Sequence, residues 1–388
     1  GEVIRNSFIV DEGDPFNEIL HNKTINALKS KNIFSNVKSE IYDGSTPGLK
    51  VIDITVEEKP TGEISLAAGL GTSGGTIGGG IKENNFLGKD IKLDTNLTFS
   101  ENSVKGQFIY AKPNFNNTDN TLYTSLKSLT SDQLTDYGYE TSNISTSIGT
   151  GFEQYENLFF KPELEVSSEK LKTNSLATSN LKKQEGTYFD TYFTYSLRYD
   201  LRNSGYRPTE GSRTLFYQEL PLTSERKEIV NSFEYVKYQS LLKDMIGRFS
   251  FYAKAVNTLS DKDVRVSKRL YVPSSKLRGF ERGKIGPVDN NDFVGGNYVS
   301  AINLSTSLPQ VLPSLQNTDI SVFVDAANIW GVDYDSSIDD KSQIRSSVGV
   351  NLDLLIPGIP LNFSLSQPIT KASSDITEAF RFNLGTTF

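Results

Sequence analysis

The sequence of 388 residues contains no cysteine and a single histidine, His21. The missing cysteine excludes disulfide frameworks, thiol nucleophiles and thiolate metal sites. With one histidine, no metal centre can be built from several histidines, and a serine hydrolase would have only one candidate base. We therefore expect no metal, no other cofactor and no catalytic residue, and we do not expect an enzyme.

Long apolar runs and an excess of positive charge are also missing. No stretch approaches the roughly 18 apolar residues that a membrane-spanning helix needs, which excludes a helical membrane protein. A β-barrel is not excluded, because its strands of about 10 alternating residues are hidden in hydropathy averages. The 40 basic and 47 acidic residues give a net charge of −7. This balance argues against nucleic acid as a partner.

Residues 1–59 have the pattern of a small α+β domain. After a short first helix, Asp14 and Pro15 form a typical helix start, with an N-cap followed by proline. An apolar stripe at helical spacing continues from there, and His21 lies on this second helix, where we expect a surface or boundary residue. Strands are predicted at residues 37–42 and 51–56, with a glycine- and proline-containing turn between them.

From Thr61 onward the helical period disappears and apolar residues alternate with polar ones. We count about 16 such segments, separated by connections rich in Asn, Asp, Gly and Ser. A soluble sandwich would have polar residues outside and a shared apolar core inside. Here charged residues recur along one face of the segments, and the opposite face carries mid-sized aliphatic residues. Aromatic residues lie near strand ends, as in the girdles of a lipid-facing band: Phe99, Tyr110, Tyr199 and Phe388. Over a sandwich, the pattern favours a 16-stranded antiparallel transmembrane β-barrel at residues 60–388.

Two glycine-rich motifs near residue 70 are misleading. Residues 69–74 fit the dinucleotide-binding pattern, and residues 71–75 fit the nucleophile elbow. Both mechanisms need a helix immediately afterwards, but a glycine-rich strand follows here. We interpret the motifs as a hairpin between two weak strands.

The segment at about residues 261–294 lacks the strand pattern. Glycine and proline around several arginines and an aromatic residue indicate a loop with a fixed fold. An arginine of such a loop inside a barrel lumen needs an acidic partner, because an unpaired charge away from bulk water is costly. Asp325, on the polar face of a late strand, is the candidate partner.

Several motifs resemble one family. Leu277, Arg278, Gly279 and Phe280 resemble the signature in the sixth extracellular loop of BamA-type outer-membrane protein assembly factors. Further segments resemble features of this family in the same order: residues 84–89, 199–211, 295–297, 323–330, 357–368 and 380–388. Residues 1–59 resemble the last POTRA domain of these proteins, without its first strand. Two positions depart from the family: Ser305 stands where members carry a glutamate near the loop arginine, and Ala326 or Ala327 stands at the glycine position of the motif at residues 323–330.

This resemblance implies a barrel in the bacterial outer membrane, with the POTRA domain in the periplasm, that catalyses the folding and insertion of other β-barrel proteins. The implied partners are unfolded outer-membrane β-barrel clients, accessory assembly lipoproteins and outer-membrane lipid. In this interpretation the loop motif, paired with Asp325, forms a lumen latch that either gates the barrel or only stabilises it.

The residues also provide a physical reason for such a role. Glycine weakens strand pairing, and the first two barrel strands, at residues 63–71 and 74–82, are rich in glycine. A weak lateral seam between the first and last strands could template an incoming strand. The predicted seam residues are Ile64, Leu66, Ala68 and Leu70 on the first strand, and Phe380, Phe382, Leu384 and Phe388 on the last. A two-partner secretion or translocation-and-assembly transporter of the same superfamily remains the alternative.

Overall fold

The computed structural model describes residues 2–10, 12–46, 48–72, 74–135, 137–205, 207–308, 318–356 and 359–385. The N-terminal part contains helices α1 (Glu2–Arg5) and α2 (Glu18–Ser30), and an antiparallel pair of strands, β1 (Phe34–Asp43) and β2 (Lys50–Glu58). Among the described residues, no helix is long and apolar enough to cross a membrane.

Two expectations for the N-terminal part are wrong. Helix α2 begins at Glu18 and not at Pro15, because the side chain of Asn17 caps it by accepting a hydrogen bond from the backbone N–H of Leu20 at 3.1 Å. His21 is buried rather than at the surface or boundary. Strand β1 packs against α2 and brings the Ser39 hydroxyl to 2.9 Å from the His21 Nε2.

The rest of the described chain forms a closed antiparallel barrel of sixteen strands, which confirms the predicted fold class. The strands of this region are β3 (Gly62–Gly71), β4 (Gly74–Phe86), β5 (Ile91–Ser100), β6 (Ser103–Lys112), β7 (Thr121–Gln133), β8 (Tyr139–Tyr155), β9 (Leu158–Thr173), β10 (Gly186–Asp200), β11 (Gly211–Thr223), β12 (Glu228–Leu242), β13 (Met245–Thr258), β14 (Val288–Asp289), β15 (Asp292–Phe293), β16 (Tyr298–Ser307), β17 (Thr318–Trp330), β18 (Arg345–Ile356), β19 (Ile359–Thr370) and β20 (Phe380–Gly385). All except the small β14–β15 hairpin belong to the barrel, in chain order, and β20 closes it against β3.

The two ends of the barrel differ. At one end the connections are mostly short, and residues 2–59 lie against them: Lys31 Nζ is 2.5 Å from Asp90 Oδ2, and Asn6 donates to Asn117 at 3.3 Å. At the other end lie the long connections, at residues 174–185, 259–297, 331–344 and 371–379. Short periplasmic turns and long extracellular loops are typical of bacterial outer-membrane barrels.

Alternating side chains separate a polar lumen from an apolar outer surface. On β8, Ile144 and Ile148 are 56% and 54% exposed on the outside, whereas Ser145 and Ser147 are 6% and 5% exposed on the inside. This follows from the two-residue period of a strand.

The apolar core lies inside the lumen, between the barrel wall and the connection from β13 to β16. This connection, residues 259–297, is slightly longer than predicted, and we call it the lumen loop. Its buried apolar residues include Val264, Leu270, Leu277, Phe280 and Ile285, and they pack on inward side chains of the strands.

Candidate functional site

Arg278 of the lumen loop reaches the wall of the barrel at β17. Its guanidinium donates two hydrogen bonds to Asp325, from Nε to Oδ2 at 2.7 Å and from Nη2 to Oδ1 at 2.8 Å. The backbone N–H of Arg278 donates a third, at 3.1 Å. The Arg278 Cζ also lies 3.4 Å from the centroid of the Phe323 ring. Because the side chain of Asp325 is fully buried, this ion pair compensates a carboxylate that water does not reach.

The neighbouring motif residues fit the space between loop and wall. Gly279 has a φ of +89°, and a Cβ there would lie 3.1 Å from the Cβ of Ser347, so the position favours glycine. The Ser347 hydroxyl donates to the carbonyl of Arg278 at 2.5 Å. Leu277 and Phe280 are both buried in the lumen core. The motif thus combines one charged contact, one close backbone approach and two apolar anchors.

Asn303 on β16 is a partner that the sequence analysis missed. It faces Asp325 across the β16–β17 ladder, and its Nδ2 donates to Asp325 Oδ1 at 3.0 Å and to the carbonyl of Lys276 at 2.7 Å. The matching position assigned from sequence was Ser305, which faces Phe323 instead. Asn303 and Ser305 are two residues apart, so both side chains lie on the lumen face of β16. Alternation alone therefore does not decide which of them contacts Asp325.

A second charged cluster, also missed, surrounds Arg265 near the start of the lumen loop. The Arg265 Nη2 lies 2.7 Å from both Glu228 Oε2 and Asp190 Oδ2, and it donates to the Tyr192 hydroxyl at 3.1 Å. A third carboxylate, that of Glu169, is 3.7 Å from Nη1. These side chains are almost completely buried, and an unpaired charge there would be costly. The ion pairs of Arg265 therefore hold the start of the lumen loop against the barrel wall.

Two lysines of the lumen loop also pair with carboxylates of the barrel wall. Lys268 lies 2.5 Å from Glu219, and Lys276 lies 2.9 Å from Glu234. Basic residues on the loop therefore meet acidic residues on the polar faces of the strands. The alternation of the strands identifies which acidic residues face the lumen. Because there are several of them, the sequence does not show which one pairs with each basic residue of the loop.

At the end of the barrel with the long connections, Arg269 ties the lumen loop to the connection at residues 331–344. Its Nε donates to the Val294 carbonyl at 2.6 Å, and its guanidinium lies 5.2 Å from the centroid of the Tyr334 ring. Burial, together with the charge of Asp289, raises the pKa of Tyr334. The phenol therefore keeps its proton and donates a hydrogen bond to Asp289 Oδ2 at 3.2 Å.

The seam between β3 and β20 has a short described register. Gly69, Leu70 and Gly71 face Gly385, Leu384 and Asn383, respectively. On its other side, β3 faces β4 along its whole length, from Gly62 to Gly71. On the far wall, β8 and β9 face each other from Tyr139 and Thr173 to Tyr155 and Leu158.

The predicted seam residues are only partly brought together. Leu70 and Leu384 are direct partners, whereas Ile64, Leu66 and Ala68 lie on the exposed surface of β3 beyond the described pairing. On β20, the Phe380 ring stacks with the Phe382 ring at 6.2 Å and with that of Phe363 of β19 at 6.3 Å. The predicted seam residue Phe388 lies outside the described residues.

Known proteins with similar sequences and folds agree with this architecture. The Omp85 superfamily domain matches residues 85–388. All of the chain aligns, at 21% identity, with 53% of the outer membrane protein assembly factor BamA of Neorickettsia risticii (strain Illinois), so it spans about half the length of that curated relative.

Solved structures show the same fold. The crystal structure of BamA from Haemophilus ducreyi lacking POTRA domains 1–3 has a TM-score of 0.86 and 22% identity, over 100% of this chain and 81% of that one. CdiB from Acinetobacter baumannii has a TM-score of 0.64 and 13% identity, over 99% of this chain and 70% of that one. The superfamily domain covers most of the chain. The chain therefore belongs to the Omp85 superfamily, and its barrel is a BamA-type barrel of the bacterial outer membrane.

Proposed function

We propose that this protein catalyses the folding and insertion of β-barrel proteins into the bacterial outer membrane, through the lateral seam between β3 and β20. Membership of the Omp85 superfamily and the similarity to a curated assembly factor support this role. No covalent bond is made or broken; the barrel provides a strand edge on which a client strand pairs.

The observation that carries the proposal is the one-sided pairing of β3. Its β4 side is paired along the whole strand, but its described pairing with β20 is confined to residues 69–71. Among the described residues, none of β20 faces residues 62–68 of β3. A strand edge that offers its N–H and C=O groups adds another strand readily, and in this proposal residues 62–68 are the templating edge for a client.

The described seam is also weak in energy. Each backbone hydrogen bond contributes about 0.5–1.5 kcal/mol net, so parting the described register costs a few kcal/mol. Glycines 78, 79 and 80 of β4 add no side-chain packing behind the edge. The longer register of β8 with β9 makes the far wall much harder to open.

In this proposal, residues 1–59 are a POTRA domain without its first strand. They lie in the periplasm, next to the short connections. The partners are unfolded outer-membrane β-barrel clients, accessory assembly lipoproteins and outer-membrane lipid. The lumen loop, held by Arg278 and Asp325, is the latch that keeps the lumen filled while the seam opens.

The test uses the fact that the chain has no cysteine. A Leu70→Cys/Leu384→Cys pair creates a lock across the seam, and an Ile148→Cys/Leu164→Cys pair creates a matched control across β8 and β9. Each variant is reconstituted in liposomes, and the folding rate of an unfolded eight-stranded client barrel is measured before and after reduction.

The lock holds β20 at residues 69–71, so a client strand can begin to pair at residues 62–68 but cannot extend along β3 and displace β20. We therefore expect the unlocked protein to accelerate client folding, the seam lock to abolish this acceleration, and reduction to restore it. The control lock should have no effect. Equal acceleration with the seam locked would contradict templating at the seam, and no acceleration in any state would contradict insertase activity of this chain.

The alternative is a conduit for one exported protein, as in two-partner secretion or translocation-and-assembly transporters. The fold of CdiB from Acinetobacter baumannii is also similar to this one, so the fold alone does not separate the two functions. A conduit passes its cargo through the lumen, where the lumen loop lies, and it does not need the seam to part. Transport that continues with the seam locked, together with no effect on client folding, would favour it.

A further inference from the structure

Arg381 ties the terminal strand of the barrel to the lumen loop. It is the second residue of β20 and is buried, with its side chain directed into the lumen. The guanidinium donates from Nη1 to the carbonyl of Ser274 at 2.8 Å and from Nη2 to the carbonyl of Phe280 at 2.7 Å. Its Nε donates to Glu378 at 2.9 Å. Two of these three bonds therefore end on the backbone of the lumen loop.

The segment before β20 reinforces this connection. The N–H of Glu281 donates to the carbonyl of Ile376 at 3.0 Å, and the N–H of Glu378 donates to that of Gly279 at 3.1 Å. Phe280 and Thr377 form an antiparallel bridge between these bonds. The residues around the loop motif therefore pair directly with the chain that leads into the seam strand.

Arg381 lies at one end of the seam. The next residue, Phe382, accepts a hydrogen bond from the N–H of Thr72, and Asn383 faces Gly71. This is the end with the long connections, away from residues 2–59. The exposed residues Ile64 and Leu66 of β3 lie toward the opposite end.

We infer that Arg381 is a positioning residue that anchors one end of the seam. With β20 held to the lumen loop there, the seam parts first at the end near residues 2–59. The terminal strand leaves completely only when the loop moves with it. The inference rests on the proposed function and deepens it, because it names the residue that makes seam opening depend on the loop.

The physical reason is the burial of Arg381 and of its acceptor Phe280; the bond to Ser274 is partly buried. A guanidinium bonded to carbonyls forms charge-assisted hydrogen bonds, which are stronger than neutral ones. Losing the donor leaves the buried carbonyl of Phe280 and the partly buried carbonyl of Ser274 without this partner. The strand then separates from the loop more easily, while the far wall of the barrel keeps its pairing.

The test measures hydrogen exchange of the chain in lipid nanodiscs. Arg381→Met removes all donors at similar volume. Arg381→Lys keeps the charge and reaches one carbonyl, and it also serves if the methionine variant does not fold. Glu378→Gln is the matched control, because it weakens the ion pair and leaves both loop bonds intact. Exchange is followed in overlapping peptides that resolve residues 62–68 from residues 69–72, in peptides covering residues 274–284 and 380–385, and in β8 and β9 as a reference.

In the wild type we expect residues 62–68 to exchange faster than residues 69–72. Arg381→Met should accelerate exchange of residues 69–72 by about tenfold, with residues 274–284 accelerated alongside and β8 and β9 unchanged. Arg381→Lys should lie in between, and Glu378→Gln should remain close to wild type.

A change below about twofold at residues 69–72, or an equal acceleration in β8 and β9, would overturn the inference. The readout does not depend on client insertion. A failed insertion assay with the expected exchange pattern would count against the proposed function alone, and normal insertion with unchanged exchange would count against the role of Arg381 alone.

Discussion

Replacing Arg278 by alanine leaves the buried carboxylate of Asp325 without its main partner. Two charge-assisted hydrogen bonds are lost, while the backbone N–H of residue 278 and the amide of Asn303 remain as donors. Breaking a buried ion pair by removing one partner costs about 3–5 kcal/mol. Because two donors remain, we expect the lower end of this range. The lost contact with the Phe323 ring adds about 0.5–1 kcal/mol.

The chain offers a matched control in Arg202, which makes the same two-bonded contact with Asp200 near one end of the barrel. The side chain of Asp200 is 21% exposed, whereas that of Asp325 is fully buried. Arg202→Ala should therefore cost only about 1 kcal/mol or less. The two variants differ mainly in the burial of the carboxylate that is left behind.

The assay is urea unfolding in detergent micelles, followed by the fluorescence of the only tryptophan. This residue, Trp330, ends the same strand that carries Asp325. Linear extrapolation converts the midpoints into free energies of unfolding. We expect a loss of about 3.5–4 kcal/mol for Arg278→Ala. Adding Asp325→Ala should give a combined loss smaller than the sum of the two single losses. A loss below about 1 kcal/mol, or one equal to that of Arg202→Ala, would refute the reasoning.

Three further outcomes are expected. Gly279→Ala should cost about 2 kcal/mol by the same assay, because of its positive φ and the nearby Ser347. Gly283→Ala should cost about half as much, because φ is also positive there but a Cβ would make only an ordinary contact with the Tyr271 ring at 4.0 Å. Arg265→Met should cost more than Arg278→Ala, on the order of 5 kcal/mol, because several buried carboxylates lose one shared partner. Asp90→Asn should speed chymotrypsin cleavage within residues 2–59 and leave the barrel midpoint unchanged, because Lys31 loses its charged partner on the barrel while asparagine tolerates the φ of +57°.

Alternation along the chain was enough to predict the barrel and its number of strands. A strand in a barrel wall has one face in lipid and one in the lumen, so a two-residue period is imposed on every segment. The lumen loop could also be recognised, because Arg278 and its neighbours interrupt this period with glycine, charge and one aromatic residue. Arg278 and Asp325, selected from the sequence, lie in direct contact.

Other contacts of the site could not be read from the pattern. Asn303 and Ser305 have the same parity on β16, and only the register of the β16–β17 ladder decides that Asn303 meets Asp325. Local propensity likewise favoured a helix start at Pro15, but the side chain of Asn17 supplies the cap instead.

The sequence by itself determined the fold class, the lumen loop and the glycine-rich first strands of the barrel, because each follows from local composition and period. Only the tertiary structure decided which acidic residues surround Arg265 and that Arg381 holds the loop. These contacts join residues distant in the chain, and they depend on how the strands are staggered when the barrel closes. Many lumen-facing positions carry acidic groups, so residue type alone does not decide which of them pairs with a given arginine of the loop. The position of the loop inside the closed barrel decides it.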